Sequence, residues 1–179
     1  GSSGFIGFHL AEILLSCNWK IIGLDAMTDY YDVNLKNARQ KLLCENSNFV
    51  NYKGLVQDEK LLNKIFSLHK PNILIHLAAQ AGVRYSIENP KSYIDSNLIG
   101  TFHILEMARK YKPDHLLMAS TSSIYGSNKD MPFHETQKCD TQMSFYAATK
   151  KSNEVIAHSY SHLYDIPMTI FRFFTVYGP

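Results

Sequence analysis

The sequence is poor in cysteine and nearly balanced in charge, and each shortage excludes a class of protein. Three cysteines in 179 residues, Cys17, Cys44 and Cys139, are too few and too scattered for a disulfide framework or a Cys-x-x-Cys metal site. We expect them to be small apolar core residues in a reducing compartment, which predicts a cytoplasmic location. The formal net charge is only +2, with basic residues spread along the chain, which argues against nucleic acid as a partner.

Long apolar runs are also missing. No stretch approaches the roughly 20 residues that span a bilayer, and no charged-then-apolar leader opens the chain, so we expect no membrane association. The hydrophobic share of 45% is still sufficient for a globular core and excludes a disordered chain.

Apolar periodicity predicts helices and strands in alternation. The predicted helices are 5–17, 34–45, 59–69, about 91–111 and 144–164, and the predicted strands are 20–24, 48–53, 72–79, 115–120 and 167–173. This order indicates an α/β fold, a doubly wound parallel sheet with helices on both faces. Such sheets bind ligands at the carboxyl ends of their strands, so functional residues are expected directly after each strand.

The chain opens with Gly1-Ser-Ser-Gly4-Phe5-Ile6-Gly7, glycines at a three-residue spacing that run into a helix. Such glycines let the backbone approach a pyrophosphate, and the helix start supplies N–H donors. Asp25 ends the next strand, where a carboxylate would accept hydrogen bonds from the adenosine ribose of NAD and repel the extra phosphate of NADP. The alternative is a leftover expression tag, which would not explain the apolar helix and the acid that follow.

A tyrosine and a lysine stand four residues apart near the start of the last predicted helix. Tyr146 and Lys150 would share one helix face, where the ammonium favours the phenolate and lowers the tyrosine pKa. Lowering that pKa from ~10 to ~7 needs about 4 kcal/mol of differential stabilisation. Beside a hydride acceptor, such a tyrosine is a general base for a substrate hydroxyl. Tyr125 and Lys129 have the same spacing, but in a predicted loop, where the spacing has no helical meaning.

Three hydroxyl side chains, Thr121, Ser122 and Ser123, follow the strand at 115–120. At the carboxyl end of a strand they would hydrogen-bond a substrate hydroxyl or the keto oxygen that replaces it, although an ordinary Ser/Thr-rich turn explains them equally well. His158 and His162 have the spacing of two metal ligands on a helix. Because no Glu lies between them as in His-Glu-x-x-His and no third ligand is evident, we expect no metal site.

Together these segments resemble the extended short-chain dehydrogenase/reductase superfamily and, within it, the NAD-dependent epimerase/dehydratase group. The resemblance rests on GSSGFIG, Asp25, HLAA at 76–79, Asn97, TSSIYG at 121–126 and YAATK at 146–150. The stretches LAAQAGVRYSIENPKSYIDSNLIGT, MPFHET, SFYAATKKSNE and RFFTVYGP are very similar to the UDP-glucuronate 4-epimerase family. A Rossmann-like fold is implied for essentially the whole chain.

The resemblance implies an NAD-dependent 4-epimerisation of a UDP-sugar, UDP-glucuronate to UDP-galacturonate, through a 4-keto intermediate that rotates and is reduced again. Tyr146 would accept the O4 proton, Lys150 would bind the nicotinamide ribose, and Thr121 and Ser122 would act beside them near O4. The residues implied to bind NAD are Gly1, Gly4, Phe5, Ile6, Gly7, Asp25, Leu77, Ala78, Ala79, Asn97, Tyr146 and Lys150, and those implied to bind the substrate are Arg84, Ser123 and Thr175.

Some positions separate this chain from its relatives. The related 4,6-dehydratases carry two acids where this chain has Ser122 and Ser123, and the decarboxylases carry a Glu in place of Ser123, so epimerisation is favoured over elimination of water. Thr175 replaces an Asn common in UDP-galactose epimerases, which is consistent with a uronic acid substrate. Leu55 replaces an Asp near the adenine, so one adenine hydrogen bond is expected to be absent. For Arg84, an exposed or structurally paired side chain is the alternative to substrate contact.

Residues 1–179 are expected to form an NAD-binding Rossmann domain that is incomplete at both ends, without its first strand and without a C-terminal substrate-binding domain beyond Pro179. The helices near 91–111 and 144–164 would, by resemblance, form a homodimer interface, although their apolar faces also suit an ordinary core. Two other functions stay open. One is another nucleotide-sugar epimerase, such as a UDP-glucose 4-epimerase, and the other is an NAD-binding module without catalysis.

Overall fold

The structure, a computed structural model, describes residues 1–178; Pro179, which ends the RFFTVYGP segment, lies outside them. The strands are β1 (Ile21–Asp25), β2 (Phe49–Lys53), β3 (Ile73–His76), β4 (His115–Thr121) and β5 (Met168–Phe173). The helices are α1 (Phe5–Ser16), α2 (Val33–Cys44), α3 (Glu59–His69), α4 (Tyr85–Glu88), α5 (Pro90–Tyr93), α6 (Gly100–Tyr111) and α7 (Phe145–Tyr164). A π-helical turn (Ile94–Ile99) joins α5 to α6, and a 3₁₀ turn (Ser122–Tyr125) follows β4.

Local side-chain chemistry sets the ends of the helices. The Asp58 carboxylate accepts a hydrogen bond from the Leu61 N–H (3.0 Å) at the start of α3, and the Ser144 hydroxyl accepts one from the Ala147 N–H (3.1 Å) at the start of α7. At their carboxyl ends, α3 and α6 stop at lysines in the left-handed conformation, Lys70 (φ 43°) and Lys112 (φ 48°). The predicted helices are confirmed to within one or two residues, except that 91–111 contains the π-helical turn.

All the strand pairs are parallel, which confirms the α/β class. Hydrogen bonding nevertheless divides the strands into two groups, β1–β2 and β3–β4–β5. Between the groups lies a cavity of about 800 Å³, lined by Ile21–Leu24 of β1 and by Ile73–His76 of β3. Within residues 1–178 the predicted sheet is therefore two parallel ladders separated by an apolar gap.

The main core lies where α3, α6 and α7 cover the strands. It contains Leu62 and Phe66 of α3, Leu105 of α6, Leu116 of β4 and Ala157 of α7, all nearly or fully excluded from solvent. Ile22 and Leu24 of β1 pack against the same cluster, so shared burial under α3 connects the two ladders. Within each ladder the strands are parallel, so their carboxyl ends lie along one edge.

The cysteines differ from the prediction. Cys139 is buried, as expected, but Cys17 and Cys44 are exposed. The expectation that all three are core residues is wrong for these two because they lie at the ends of α1 and α2, beyond the apolar face of each helix. Among the described residues, no helix is long and apolar enough to cross a membrane.

Candidate active site

Gly1, Gly4 and Gly7 form a tight turn that leads into α1. The N–H of Gly4 donates to the carbonyl of Gly1 (3.2 Å), and Gly4 caps α1 without a side-chain hydrogen bond. A Cβ on Gly1 would lie 2.9 Å from the backbone nitrogen of Ala78, and a Cβ on Gly7 would overlap the carbonyl of Gly1. The turn is therefore a cradle that a side chain would fill, and it offers helix N–H donors suited to a pyrophosphate.

Asp25 joins this glycine turn to the loop after β1. Its Oδ2 accepts a hydrogen bond from the Ser3 N–H (3.0 Å), and its Oδ1 accepts one from the Met27 N–H (2.9 Å) and one from the Lys36 Nζ (3.2 Å). Burial opposes ionisation, but the amino group of Gly1, these two N–H groups and Lys36 together hold the pKa of Asp25 below its usual value. The carboxylate is therefore charged and faces the cradle.

The loop after β3 is held from one side by Asn97. The Oδ1 of Asn97 accepts from the Gln80 N–H (2.8 Å), and its Nδ2 donates to the Gln80 carbonyl (3.0 Å) and to the Thr149 hydroxyl (3.1 Å). Thr149 in turn donates to the carbonyl of Tyr146 (2.8 Å). Asn97 is fully buried and its amide is taken up by protein groups. Its side chain therefore positions this loop against α7, and the cofactor contact expected for Asn97 stays a prediction.

Tyr93 holds the next two residues of the same loop. Its hydroxyl has one proton to donate and lies within hydrogen-bond distance of the carbonyls of Ala81 (2.7 Å) and Gly82 (2.5 Å). Its ring is in edge contact with Tyr146 (centroids 6.0 Å apart). Gly82 has φ +95°, a backbone conformation that favours glycine, and a Cβ there would also displace the hydroxyl of Tyr30, which lies 2.5 Å away. Leu77, Ala78 and Ala79 thus lead into a loop whose backbone is fixed from Gln80 onwards.

The three hydroxyl residues lie at the carboxyl end of β4, as predicted. Thr121 is buried, accepts from the Ser123 N–H (3.2 Å) and donates to the Ser123 hydroxyl (3.2 Å). Thr121 also hydrogen-bonds the phenol of Tyr146, so β4 and the first turn of α7 meet at this pair. Ser122, in the following 3₁₀ turn, is half-buried.

Tyr146 and Lys150 lie on α7, but the lysine does not activate the tyrosine in this structure. Burial raises the pKa of Tyr146 above its usual value, and the hydrogen bond from Thr121 offsets only part of that rise. The Lys150 ammonium donates to the carbonyl of Ala119 (2.8 Å), and burial lowers its pKa to about 8. The predicted fall in the tyrosine pKa is therefore wrong for this structure, because the ammonium is directed at β4.

Two of the predicted substrate residues are exposed to solvent. Arg84, at the start of α4, and Thr175, after β5, are exposed. Phe5 and Ile6 lie half-buried in the first turn of α1. Metal ligands were not expected, and the part of the chain that the structure describes contains no group of three or more His, Cys, Asp or Glu side chains that could hold a metal ion.

A buried polar network lies beneath Lys150. His76, at the end of β3, shares a hydrogen bond with the Thr101 hydroxyl (3.0 Å), which also accepts from the Asn153 Nδ2 (3.1 Å). Burial, reinforced by the nearby charges of Lys150 and the amino terminus, lowers the pKa of His76 to about 3. His76 is therefore neutral in the folded protein at neutral pH and ties β3 to α6 and α7.

His76 should make the fold acid-sensitive. Its pKa is about 3 in the folded state and ~6.5 when unfolded, so between these values the unfolded chain binds the extra proton. Its contribution to the free energy of unfolding is complete above pH ~6.5 and falls by up to about 1.4 kcal/mol per pH unit below it. We expect His76→Gln to flatten this slope in urea unfolding between pH 7 and 5. The exposed His162→Gln should keep the wild-type slope, and an unchanged slope in His76→Gln would show that His76 does not titrate on unfolding.

The sequence reasoning missed several residues of this region, namely Lys36, Gln80, Tyr93, Thr101, Thr149 and Asn153. Their contacts join residues far apart in the chain: 11 residues separate Lys36 from Asp25, and 52 separate Thr101 from Asn153. No short motif encodes such contacts. The one available signal was the density of polar residues on the predicted helix faces next to Asn97 and Tyr146.

Comparison with known proteins gives matches along the whole chain. It is 52% identical over 179 residues to a probable UDP-glucuronate 4-epimerase of Rhizobium meliloti, covering 100% of this chain and 52% of the relative. It is 47% identical over 180 residues to UDP-glucuronate 4-epimerase 4 of Arabidopsis thaliana, with 100% and 41% covered. The chain thus spans about half the length of the curated relatives it matches.

Solved structures agree. The UDP-glucuronic acid 4-epimerase of Bacillus cereus in complex with UDP-glucuronic acid and NAD superposes with a TM-score of 0.89 at 34% identity, covering 100% of this chain and 56% of the other. UDP-glucose 4-epimerase of Thermotoga maritima with UDP-glucose gives 0.88 at 32% identity, covering 100% and 55%. These likenesses confirm the Rossmann-like α/β fold. The family described as GDP-mannose 4,6 dehydratase matches residues 1–179, and the chain therefore belongs to that family, within the NAD-dependent epimerase/dehydratase group.

Proposed function

We propose that the whole protein is an NAD-dependent UDP-sugar 4-epimerase that interconverts UDP-glucuronate and UDP-galacturonate. The observation that carries the proposal is the meeting of Thr121, Tyr146 and Lys150 at the carboxyl end of β4. The named activity of the relatives from Rhizobium meliloti and Arabidopsis thaliana supports the choice of sugar.

The described residues fit a dinucleotide. The glycine turn is a cradle without side chains at the start of α1, and the charged Asp25 closes its far side. We propose that Gly1, Gly4, Gly7 and the N–H groups of Phe5 and Ile6 hold the pyrophosphate, while Asp25 accepts the ribose hydroxyls. When bound, NAD⁺ supplies a hydride acceptor that is restored at the end of each cycle.

The protein's own part in the reaction is to hold and move one proton. Tyr146 accepts the proton of the sugar O4 as the carbon is oxidised, and it returns the proton when the opposite face of the 4-keto sugar is reduced. To stabilise the phenolate, the Thr121 hydroxyl must turn its single proton from Ser123 to the phenolic oxygen. Because burial raises the pKa of Tyr146 in this structure, the positive charge of Lys150 would have to favour the phenolate during the reaction.

Two serines favour epimerisation over the dehydration for which the family is described. Elimination of water needs an acid and a base beyond the tyrosine, and Ser122 and Ser123 offer neither. Ser123 instead accepts the hydroxyl hydrogen bond of Thr121, so it belongs to the same polar cluster. We propose Arg84, Ser123 and Thr175 as the residues of this chain that contact the sugar.

The test is a substrate panel with the full-length protein. Incubation with NAD⁺ and UDP-glucuronate should give UDP-galacturonate by NMR, with little turnover of UDP-glucose and no dehydration of GDP-mannose. Preferred turnover of UDP-glucose would overturn the choice of sugar. It would favour instead the activity named for the similar enzyme of Thermotoga maritima, a UDP-glucose 4-epimerase. Binding of NAD⁺ with no turnover of any of the sugars would favour a non-catalytic module.

We further propose that the protein is a homodimer through α6 and α7. Both helices carry large apolar side chains that solvent reaches, Phe102 on α6 and Val155 and Leu163 on α7. Phe102→Glu combined with Val155→Glu should convert the full-length protein to a monomer in light scattering, whereas Leu35→Glu on α2, which replaces another exposed apolar residue, should not. A wild-type monomer, or a dimer that survives both changes, would contradict this interface.

The cavity between β1 and β3 supports a domain with one more strand. We propose that residues preceding Gly1 form a parallel strand there, because β1 and β3 line the cavity with apolar side chains and each pairs on one side only within residues 1–178. The full-length protein should protect the β1 amides from hydrogen exchange far better than residues 1–179 alone.

We also propose a cytoplasmic location, which would keep the exposed Cys17 and Cys44 reduced.

A further inference from the structure

Arg172, on β5, and Glu154, on α7, form a largely buried ion pair beside the site. The Nε of Arg172 donates to the Glu154 Oε1 (3.2 Å) and its Nη2 donates to Oε2 (2.9 Å), so the guanidinium binds both carboxylate oxygens. The two side chains are only 17% and 11% exposed. A buried ion pair is weak evidence of stability, because apolar side chains of similar size often stabilise a fold equally well. The pair therefore needs a reason beyond stability.

Helix geometry places Glu154 within reach of Lys150. Residues four apart lie on one helix face, so the two side chains are neighbours on α7. The charge of Glu154 acts on the lysine, since it offsets part of the fall in the Lys150 pKa that burial causes. Even so, no ion pair joins the two in the part of the chain that the structure describes, and the Lys150 Nζ donates to the Ala119 carbonyl (2.8 Å). Arg172 occupies the carboxylate instead.

Parallel pairing of β4 with β5 brings Arg172 to this point. Arg172 is the register partner of Ser120, the residue that follows Ala119. Its remaining nitrogen, Nη1, donates to the Glu135 carbonyl (3.0 Å), and the centre of the guanidinium lies 5.1 Å from the ring centroid of Tyr125. A planar guanidinium fixed on several sides holds a carboxylate in one position, which the single charge of a flexible lysine does not.

We propose that Arg172 is a positioning residue that holds the Glu154 carboxylate away from Lys150. The lysine charge is thereby kept for the Tyr146 phenolate. The inference rests on the proposed function, which assigns the proton of O4 to Tyr146. A carboxylate paired with Lys150 would cancel much of this positive charge, so the tyrosine pKa would rise and the phenolate would form only at higher pH.

The other titratable groups around Lys150 do not imitate this effect. His76 faces the lysine from the end of β3, but its pKa of about 3 keeps it neutral at neutral and alkaline pH. From β4 the lysine receives only the Ala119 carbonyl. Cys139 and Glu154 both raise the pKa of Arg172, which therefore stays charged throughout. A shift in the Lys150 pKa on substitution of Arg172 thus reports on Glu154.

Arg172→Met should raise the pKa of Lys150 from about 8 by roughly 1 unit or more, because the freed carboxylate turns to the ammonium. The pH at which kcat for UDP-glucuronate is half-maximal should rise in parallel, and kcat at neutral pH should fall about tenfold. Adding Glu154→Gln to the same chain should return both quantities to near their wild-type values, because no carboxylate is then left to pair with Lys150.

The experiment uses the full-length protein. NMR titration of lysine isotope-labelled at Cε gives the Lys150 pKa in protein freed of cofactor, and steady-state kinetics gives the pH profile. Arg109→Met is the matched control, because Arg109 also binds both oxygens of a glutamate, Glu106, in a more exposed pair on α6. It should change neither quantity. If Arg172→Met does not fold by circular dichroism, Arg172→Lys carries the same comparison with smaller shifts, because it keeps the charge and loses the fork.

Two kinds of failure are distinguishable. A wild-type Lys150 pKa in the Arg172 variants would overturn the inference. So would a double variant as impaired as the single one, because an arginine that only holds the loop near Glu135 is not replaced by removal of Glu154. A wild-type protein that turns over none of the UDP-sugars would overturn the proposed function instead, and the NMR titration would still decide whether Arg172 keeps Glu154 from Lys150.

Discussion

Tyr146→Phe should reduce turnover of UDP-glucuronate by the full-length protein about 10²- to 10⁴-fold, the usual contribution of a positioned general base. The substitution removes only the hydroxyl that hydrogen-bonds Thr121, and the ring keeps its edge contact with Tyr93. Folding and NAD⁺ affinity should therefore stay close to wild type. Because the proton of O4 then has no acceptor, the fall should be in kcat rather than in KM. Steady-state kinetics with separate NAD⁺ titration measures both.

The matched control for this variant is Tyr164→Phe. Tyr164 lies at the other end of α7 and is 39% exposed, so loss of its hydroxyl should leave turnover unchanged. Turnover by Tyr146→Phe at the wild-type rate would remove Tyr146 from its role as base, whatever the binding data show. Loss of folding or of NAD⁺ binding in the same variant would show that the hydroxyl is a structural group.

Gly7→Ala should abolish NAD⁺ binding, with an affinity loss of more than 100-fold. Alanine is favoured over glycine in a helix by about 1 kcal/mol, which on its own would stabilise α1. The new methyl, however, would overlap the backbone carbonyl of Gly1, and no side-chain rotation can relieve a clash with backbone. Overpacking typically costs ~1–3 kcal/mol and displaces the backbone. The clash therefore dominates, and the start of α1 must move away from the glycine turn that binds the pyrophosphate.

A graded series makes the glycine prediction specific. A Cβ on Gly4 would lie 3.2 Å from the carbonyl oxygen of Gly1, which a small shift can accommodate, so Gly4→Ala should lose much less affinity than Gly7→Ala. A Cβ on the exposed Gly178 would make an ordinary 3.6 Å contact with Phe5, so Gly178→Ala should bind NAD⁺ like the wild type. Equal affinity across the three variants in calorimetry would show that the glycine turn does not hold the pyrophosphate.

Local patterns were sufficient for most of the secondary structure. The prediction of a helix at 59–69 matches α3, because its amphipathic period, its Asp58 cap and the left-handed Lys70 all lie within a dozen residues. The strand predicted at 72–79 ends earlier, at His76, since Leu77–Ala79 turn away towards the glycine cradle. The π-helical turn at Ile94–Ile99 was not predicted. It contains Asn97, whose side chain hydrogen-bonds Gln80 and Thr149, 17 and 52 residues away in the chain.

The sequence by itself determined the order of helices and strands, the parallel α/β class and the residue types at the strand ends, since each of these follows from short-range periodicity and turn chemistry. Only the tertiary structure decided how those residues meet. It buried Lys36 against Asp25, directed Lys150 at Ala119 and gave Asn97 a positioning role. Burial and pairing depend on elements far apart in the chain, and they set the charge state and the direction of each functional group.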